Sequence, residues 1–78
     1  MINRDDYESA KANGLEERFR GAEISRRISH IVPISDQIAL IQDKDDKPEK
    51  YAKYQALRAQ IKAEVDAEIE YIERSLRS

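Results

Sequence analysis

The chain has no cysteine and no tryptophan, and only one histidine, two glycines and two prolines among its 78 residues. Without cysteine there is no disulfide and no thiolate metal site, and one imidazole cannot build a histidine-rich centre. Gly14 and Gly21 stand alone, so no glycine-rich loop is present to cradle a phosphate. No apolar run approaches the roughly 20 residues that a membrane-spanning helix needs. Neither sign of charge dominates: 14 Lys and Arg face 16 Asp and Glu, a net charge of −2, which gives no bulk attraction for nucleic acid. Met1-Ile2-Asn3-Arg4-Asp5-Asp6 lacks the basic and apolar regions of a secretion signal, so the cytoplasm is the expected place of assembly.

A single domain of this size buries only about 60% of the surface its unfolded chain exposes. With disulfides and metals excluded, oligomerisation or docking on a larger body is the remaining way to add stability. The composition itself favours helix, with 38% charged residues and 6% aromatics.

The strongest pattern runs from Pro48 to the C-terminus. Tyr51, Tyr54, Leu57, Ile61, Val65, Ile69, Ile72 and Leu76 follow one another in steps of three and four, one stripe along a single helix. Ala52, Ala56, Ala59, Ala63 and Ala67 raise its propensity. Asp46 is positioned to cap it, with Glu49 as capping-box partner and Pro48 in the tolerated first turn. Glu49–Lys53, Glu70–Arg74 and Glu73–Arg77 are favourable i,i+4 pairs. Thirty residues at ~1.5 Å each make a rod of about 45 Å, longer than a compact domain of this length is wide.

Upstream, Pro33 stops any preceding helix and Ser35 is a natural N-cap for a short helix carrying Ile34, Ile38 and Ile41 on one face. The turn Asp43–Lys47 then reverses the chain into an αα-hairpin. Its expected core is Ile34, Ile38, Ile41, Tyr51, Tyr54, Leu57 and Ile61. Val65, Ile69, Ile72 and Leu76 then lie beyond the reach of the hairpin, either as a helix–helix interface for a partner chain or as a solvated tail. The mixed spacing is not that of a dedicated two-stranded coiled coil.

In the first 32 residues, Asn3 caps a helix through about Lys11, and Asn13-Gly14 ends it. A second helix is expected over Ala22–His30, with Ile24, Ile28 and Ile31 on one face; an extended or docking segment competes for residues 13–21. The fold class expected is thus all-α: a helical hairpin (33–78) with one long C-terminal amphipathic helix, preceded by a segment (1–32) of one or two short helices.

Several groupings invite a chemical interpretation. Ser9, Ser25, Ser29 and Ser35 have only His30 as a base, and Ser29 and His30 are adjacent in sequence, so they point along different directions of a helix. His30 fits better as a helix-end residue beside terminal carbonyls. Asp43-Lys44-Asp45-Asp46 resembles the start of a calcium loop, but Lys47, Pro48 and Tyr54 stand where a ligand oxygen, a glycine and a glutamate are required. Arg18, Arg20, Arg26 and Arg27 are interleaved with Glu16, Glu17 and Glu23, a salt-bridged surface more than a phosphate-binding one. No catalytic residue, cofactor or metal is therefore expected.

The stretch Ile34, Asp36-Gln37-Ile38-Ala39-Leu40, Asp45, Pro48-Glu49, Tyr51, Tyr54 and Lys62-Ala63-Glu64 resembles a group of short proteins encoded near tail and tail-fibre genes of tailed bacteriophages and prophages. The resemblance covers about half the chain. It implies a virion component or assembly accessory, in the virion or the bacterial cytoplasm, that packs with itself and with larger phage structural proteins. The alternative is a small regulatory binding module, inhibitor-like or antitoxin-like, that occludes a partner protein. A nucleic-acid-binding role through the four arginines is the third possibility.

Overall fold

The structure, a computed structural model, describes residues 1–77. Four helices make up the fold: α1 (Arg4–Ala12), α2 (Glu16–Ile31), α3 (Ile34–Gln42) and α4 (Pro48–Arg77), with no strand among the described residues. The all-α class and the single long C-terminal helix stand as the sequence implied.

α1 starts and stops where its residues dictate. The Asn3 side chain accepts the Asp6 N–H at 3.1 Å, satisfying one of the unpaired donors of the first turn. At the other end Gly14 adopts φ +69°, while Gly14 N–H donates to Lys11 O and Leu15 N–H to Ala10 O. This is a Schellman closure, and the left-handed conformation is why a glycine stands there.

α2 is longer than expected. It begins at Glu16 and continues through Gly21, so residues 16–21 are helix and not an extended docking segment. Phe19 fixes this first part: its ring meets Tyr7 of α1 edge-on, 5.6 Å between centroids at 70°. α2 runs antiparallel to α4, with Glu16 and Arg20 beside Ile69 and Asp66, and Gly21 and Ile24 beside Lys62 and Arg58.

The core is not that of the expected hairpin. Its buried members are Ile2, Tyr7, Ile28, Tyr54, Ile61, Val65 and Ile72, with Phe19, Ile24, Leu40, Leu57, Ile69 and Leu76 half-buried against them. It therefore crosses the expected boundary at residue 32. Val65 is fully buried and Ile72 nearly so, and Ile69 and Leu76 are half-buried, so the four residues expected to await a partner are covered by the chain's own helices. α2, at 16 residues, is long enough to lie along the later part of α4, and α1 folds back over the end of it.

The hairpin residues divide. Tyr54 and Ile61 are buried, Tyr51 and Leu57 half-buried, but Ile34, Ile38 and Ile41 are 64%, 51% and 48% exposed. A polar latch accompanies this orientation. Tyr54 Oη donates to Gln37 Oε1 at 2.8 Å, and Gln37 Nε2 donates to the Val32 carbonyl at 2.8 Å. With these bonds Gln37 and Leu40 face α4, and the isoleucines lie on the outer side of α3. Two caps also differ from expectation. α3 opens one residue before Ser35, with Pro33 O accepting Gln37 N–H, and Lys47, not Asp46, immediately precedes α4. The molecule is a rod of 50 × 19 × 17 Å, its long axis set by α4.

Candidate protein-binding face

Nine residues form α3, and none of them is buried. Ile34, Ile38 and Ile41 recur at i, i+4 and i+7, which stacks them on one side of a helix. On that geometry Ser35 and Gln42 border the isoleucines on one edge and Gln37 on the other, all uncharged. Asp36 lies on the opposite side of α3, lining a shallow cleft of about 340 Å³ with Ile31, Val32, Leu40, Lys47 and Lys50. An amphipathic helix ordinarily buries its apolar side. Here the more apolar side faces water.

Elsewhere Met1, Leu15, Ile31 and Tyr71 are also exposed, while ion pairs tie the helices to one another. Arg27 clasps Glu68 through two bonds of 2.5 and 2.8 Å, Glu68 Oε1 also accepts the Ile2 N–H at 2.8 Å, and Glu23 holds Arg27 at 3.0 Å. The Arg27 hydrogen bonds, aided by the Ile2 N–H, hold the Glu68 carboxyl down to about 2 against the opposing effect of burial. Lys11 and the Tyr7 hydroxyl both bind Glu73, which lowers the Glu73 carboxyl. Burial, followed by the bond to Glu73, pushes the Tyr7 hydroxyl up to about 12. Glu70–Arg74 forms as expected at 2.5 Å, whereas Glu73 turns to Lys11 and Tyr7.

The other sequence candidates fall into place around these pairs. Arg20 binds Glu17 and Asp66, Arg26 binds Glu23, and Arg27 is taken by Glu23 and Glu68, so three of the four arginines are already matched to carboxylates. The Ser29 hydroxyl accepts from Gln37 Nε2 at 3.4 Å while His30 lies exposed. In the acidic turn, Asp46 N–H and Lys47 N–H both donate to Asp43 O. No group of three or more His, Cys, Asp or Glu side chains among the described residues is arranged to hold a metal ion. Among the described residues, no helix is long and apolar enough to cross a membrane. The cross-helix clasps had little signal in the sequence: Arg20 and Arg27 stand seven residues apart on one side of α2, but Asp66 and Glu68 are only two of several acids along the later part of α4. Comparison with protein-family models, curated proteins and solved structures finds no match.

Proposed function

We propose that this chain is a small non-enzymatic structural or assembly accessory of the tailed-phage type, acting by helix packing on other protein chains. The observation that carries the reading is the outward-facing Ile34–Ile38–Ile41 row on a helix that packs on the core only through the half-buried Leu40 and Gln37. The residues behind the resemblance to proteins encoded near tail and tail-fibre genes support it further, since most lie on α3 and the start of α4, at the same end of the rod. On this reading α1, α2 and the later part of α4 are scaffold, and α3 is the docking element.

The magnitude fits a surface that works on a larger partner. The three half-exposed isoleucines together are worth about 2–5 kcal/mol when covered. Association costs at least ~4 kcal/mol before any ordering of side chains. Contacts around the row therefore have to add to it, as they do where a helix is laid into a groove of a large protein. The place of action is the virion, or the bacterial cytoplasm where it is assembled.

Ile38→Glu tests the reading. The variant is expected to keep the helical circular dichroism and melt within a few degrees of wild type, because Ile38 supports no core. Its association with other chains is expected to be lost. If the substitution unfolds the chain, α3 belongs to the fold and the docking reading fails. The genes beside the coding sequence test the wider proposal: tail or tail-fibre genes are expected, and a toxin gene as the sole neighbour would point to the inhibitor-like alternative.

A further inference from the structure

We infer that the groove between α2 and α4 takes an acidic helical segment of another protein, as a second docking surface apart from the α3 row. Gly21 and Ser25 of α2 and Ala59 of α4 are its small residues, and its volume is about 540 Å³. A Cβ at Gly21 would meet nothing within 4 Å, so the groove is open at that point. Arg58 and Lys62 bring two cations to its α4 side, and no carboxylate lines it.

Charge sets this groove apart from the rest of the α2–α4 contact. Arg20 and Arg27 each already hold an acid of α4, Asp66 and Glu68. Among the described residues, Arg58 and Lys62 hold none. The Arg58 guanidinium lies over the Tyr54 ring, 5.8 Å from its centroid, which stations the charge at the groove. Asp66, one turn beyond Lys62, is bonded to Arg20 at 3.1 Å. Arg18 adds a third exposed cation without an ion pair, three residues before Gly21 and seven before Ser25 on the same side of α2. In a chain of net charge −2 this local excess of positive charge runs against the bulk.

The spacing names the occupant. Arg58 and Lys62 stand four residues apart, about 6 Å along the helix axis. Two carboxylates four residues apart on a partner helix have the same spacing, so each meets one cation. Ser25 and Gln55 offer uncharged hydrogen-bonding groups beside them, and Ile24 an apolar contact. A nucleic acid is served less well, because no aromatic side chain lines the groove for a base to stack on. Exposed ion pairs are individually weak, so an isolated acidic peptide binds with a dissociation constant on the order of 1 mM.

Amide chemical shifts of the full chain, titrated with an alanine-rich helical peptide carrying Glu pairs four residues apart, test this. Shifts are expected to concentrate at Gly21, Ser25, Ala59 and Lys62, and to be absent when Gln replaces Glu in the peptide. Binding is expected to weaken about fivefold between 50 and 300 mM salt. Arg58→Gln with Lys62→Gln is expected to weaken it at least ~5-fold with unchanged circular dichroism. Lys44→Gln with Lys53→Gln removes the same charge outside the groove and is expected to change binding less than about twofold. Ile38→Glu is expected to bind the peptide as wild type does, so the groove and the α3 row are tested apart. The inference is overturned by shifts that are absent or scattered over the surface, or by equal losses in the two double variants. It is also overturned by a single-stranded DNA of equal charge that shifts the same amides at lower concentration than the peptide. Should the Arg58→Gln, Lys62→Gln variant fail to fold, the wild-type shift map with the Glu and Gln peptides still decides.

Discussion

At the scale of single residues, Glu68 joins the three parts of the sequence that periodicity alone leaves separate. It sits on α4, is clasped by Arg27 from α2, and accepts the Ile2 N–H from the segment before α1. Its carboxyl is held near 2 in the folded chain against a usual 4.5, so the folded state prefers the charged form more than the unfolded state does. Stability from this group is therefore fully present above about pH 4.5 and is lost as pH falls toward 2. Glu73, also lowered by Lys11 and Tyr7, contributes in the same direction. The Glu68 and Arg27 side chains keep about a fifth of their surface in water, 20% and 19%, so screening reduces the full effect to about 1–2 kcal/mol. Glu68→Gln is expected to cost about that much in urea unfolding at pH 7 and almost nothing at pH 2. A variant with the same deficit at both pH values would show that the charge of Glu68 is not what holds α2 to α4. The clasp itself was only partly legible in the sequence. Charge pairs within a helix follow from i,i+4 spacing, but a carboxylate on one helix gives no indication of which distant arginine it meets.

At the scale of elements, α1 and α4 could be read from their ends and their apolar spacing. Asn3, Asn13-Gly14 and Pro48 are local signals, and local hydrogen bonding decides them. α2 and α3 depended on contacts made elsewhere. Gly21 marks a break by propensity, yet α2 passes through it because Phe19 is pinned on Tyr7 and Arg20 on Asp66 just before it. A Cβ at Gly21 would meet nothing within 4 Å, so the glycine answers no packing need there. Gly21→Ala is accordingly expected to stabilise the chain by up to ~1 kcal/mol, through helix propensity and a less flexible unfolded state. In a domain of this size that is a rise of roughly 4–8 °C in melting temperature. A lower melting point would mean that the position serves a contact outside the chain. The rotation of α3 was hidden for a different reason. A polar residue at position 37 reads as solvent-facing, whereas Gln37 bonds the Tyr54 hydroxyl and the Val32 carbonyl and Leu40 packs beside it, with the isoleucines on the outer side.

At the scale of the whole molecule, the question is which part of the chain covers which stretch of α4. Sequence proximity assigns α3 to the beginning of α4 and leaves the stretch from Val65 to Leu76 bare. The rod is instead closed by long-range return: Arg4 reaches Ser75, Lys11 reaches Glu73, and Ile2 and Tyr7 join Val65 and Ile72 in one core. The 19 and 17 Å cross-section leaves room for only a thin apolar interior, so each helix laid on α4 is indispensable to the part it covers. α1 supplies Tyr7 to that interior, and Ile2, two residues ahead of the helix, is also buried. Removal of residues 1–14 should thus uncover Ile72, Leu76 and the Phe19 ring together, producing an apolar surface on α4 that the intact chain does not show. The shortened chain is expected to lose several kcal/mol of stability, to bind an apolar dye, and to associate into species larger than a dimer. Association of that kind should persist when Ile38→Glu is added, because it arises from the later part of α4. If the shortened chain instead stayed monomeric and melted like the intact one, α1 would be a bystander, and the covering of Val65 and Ile72 would have to come from α2 alone.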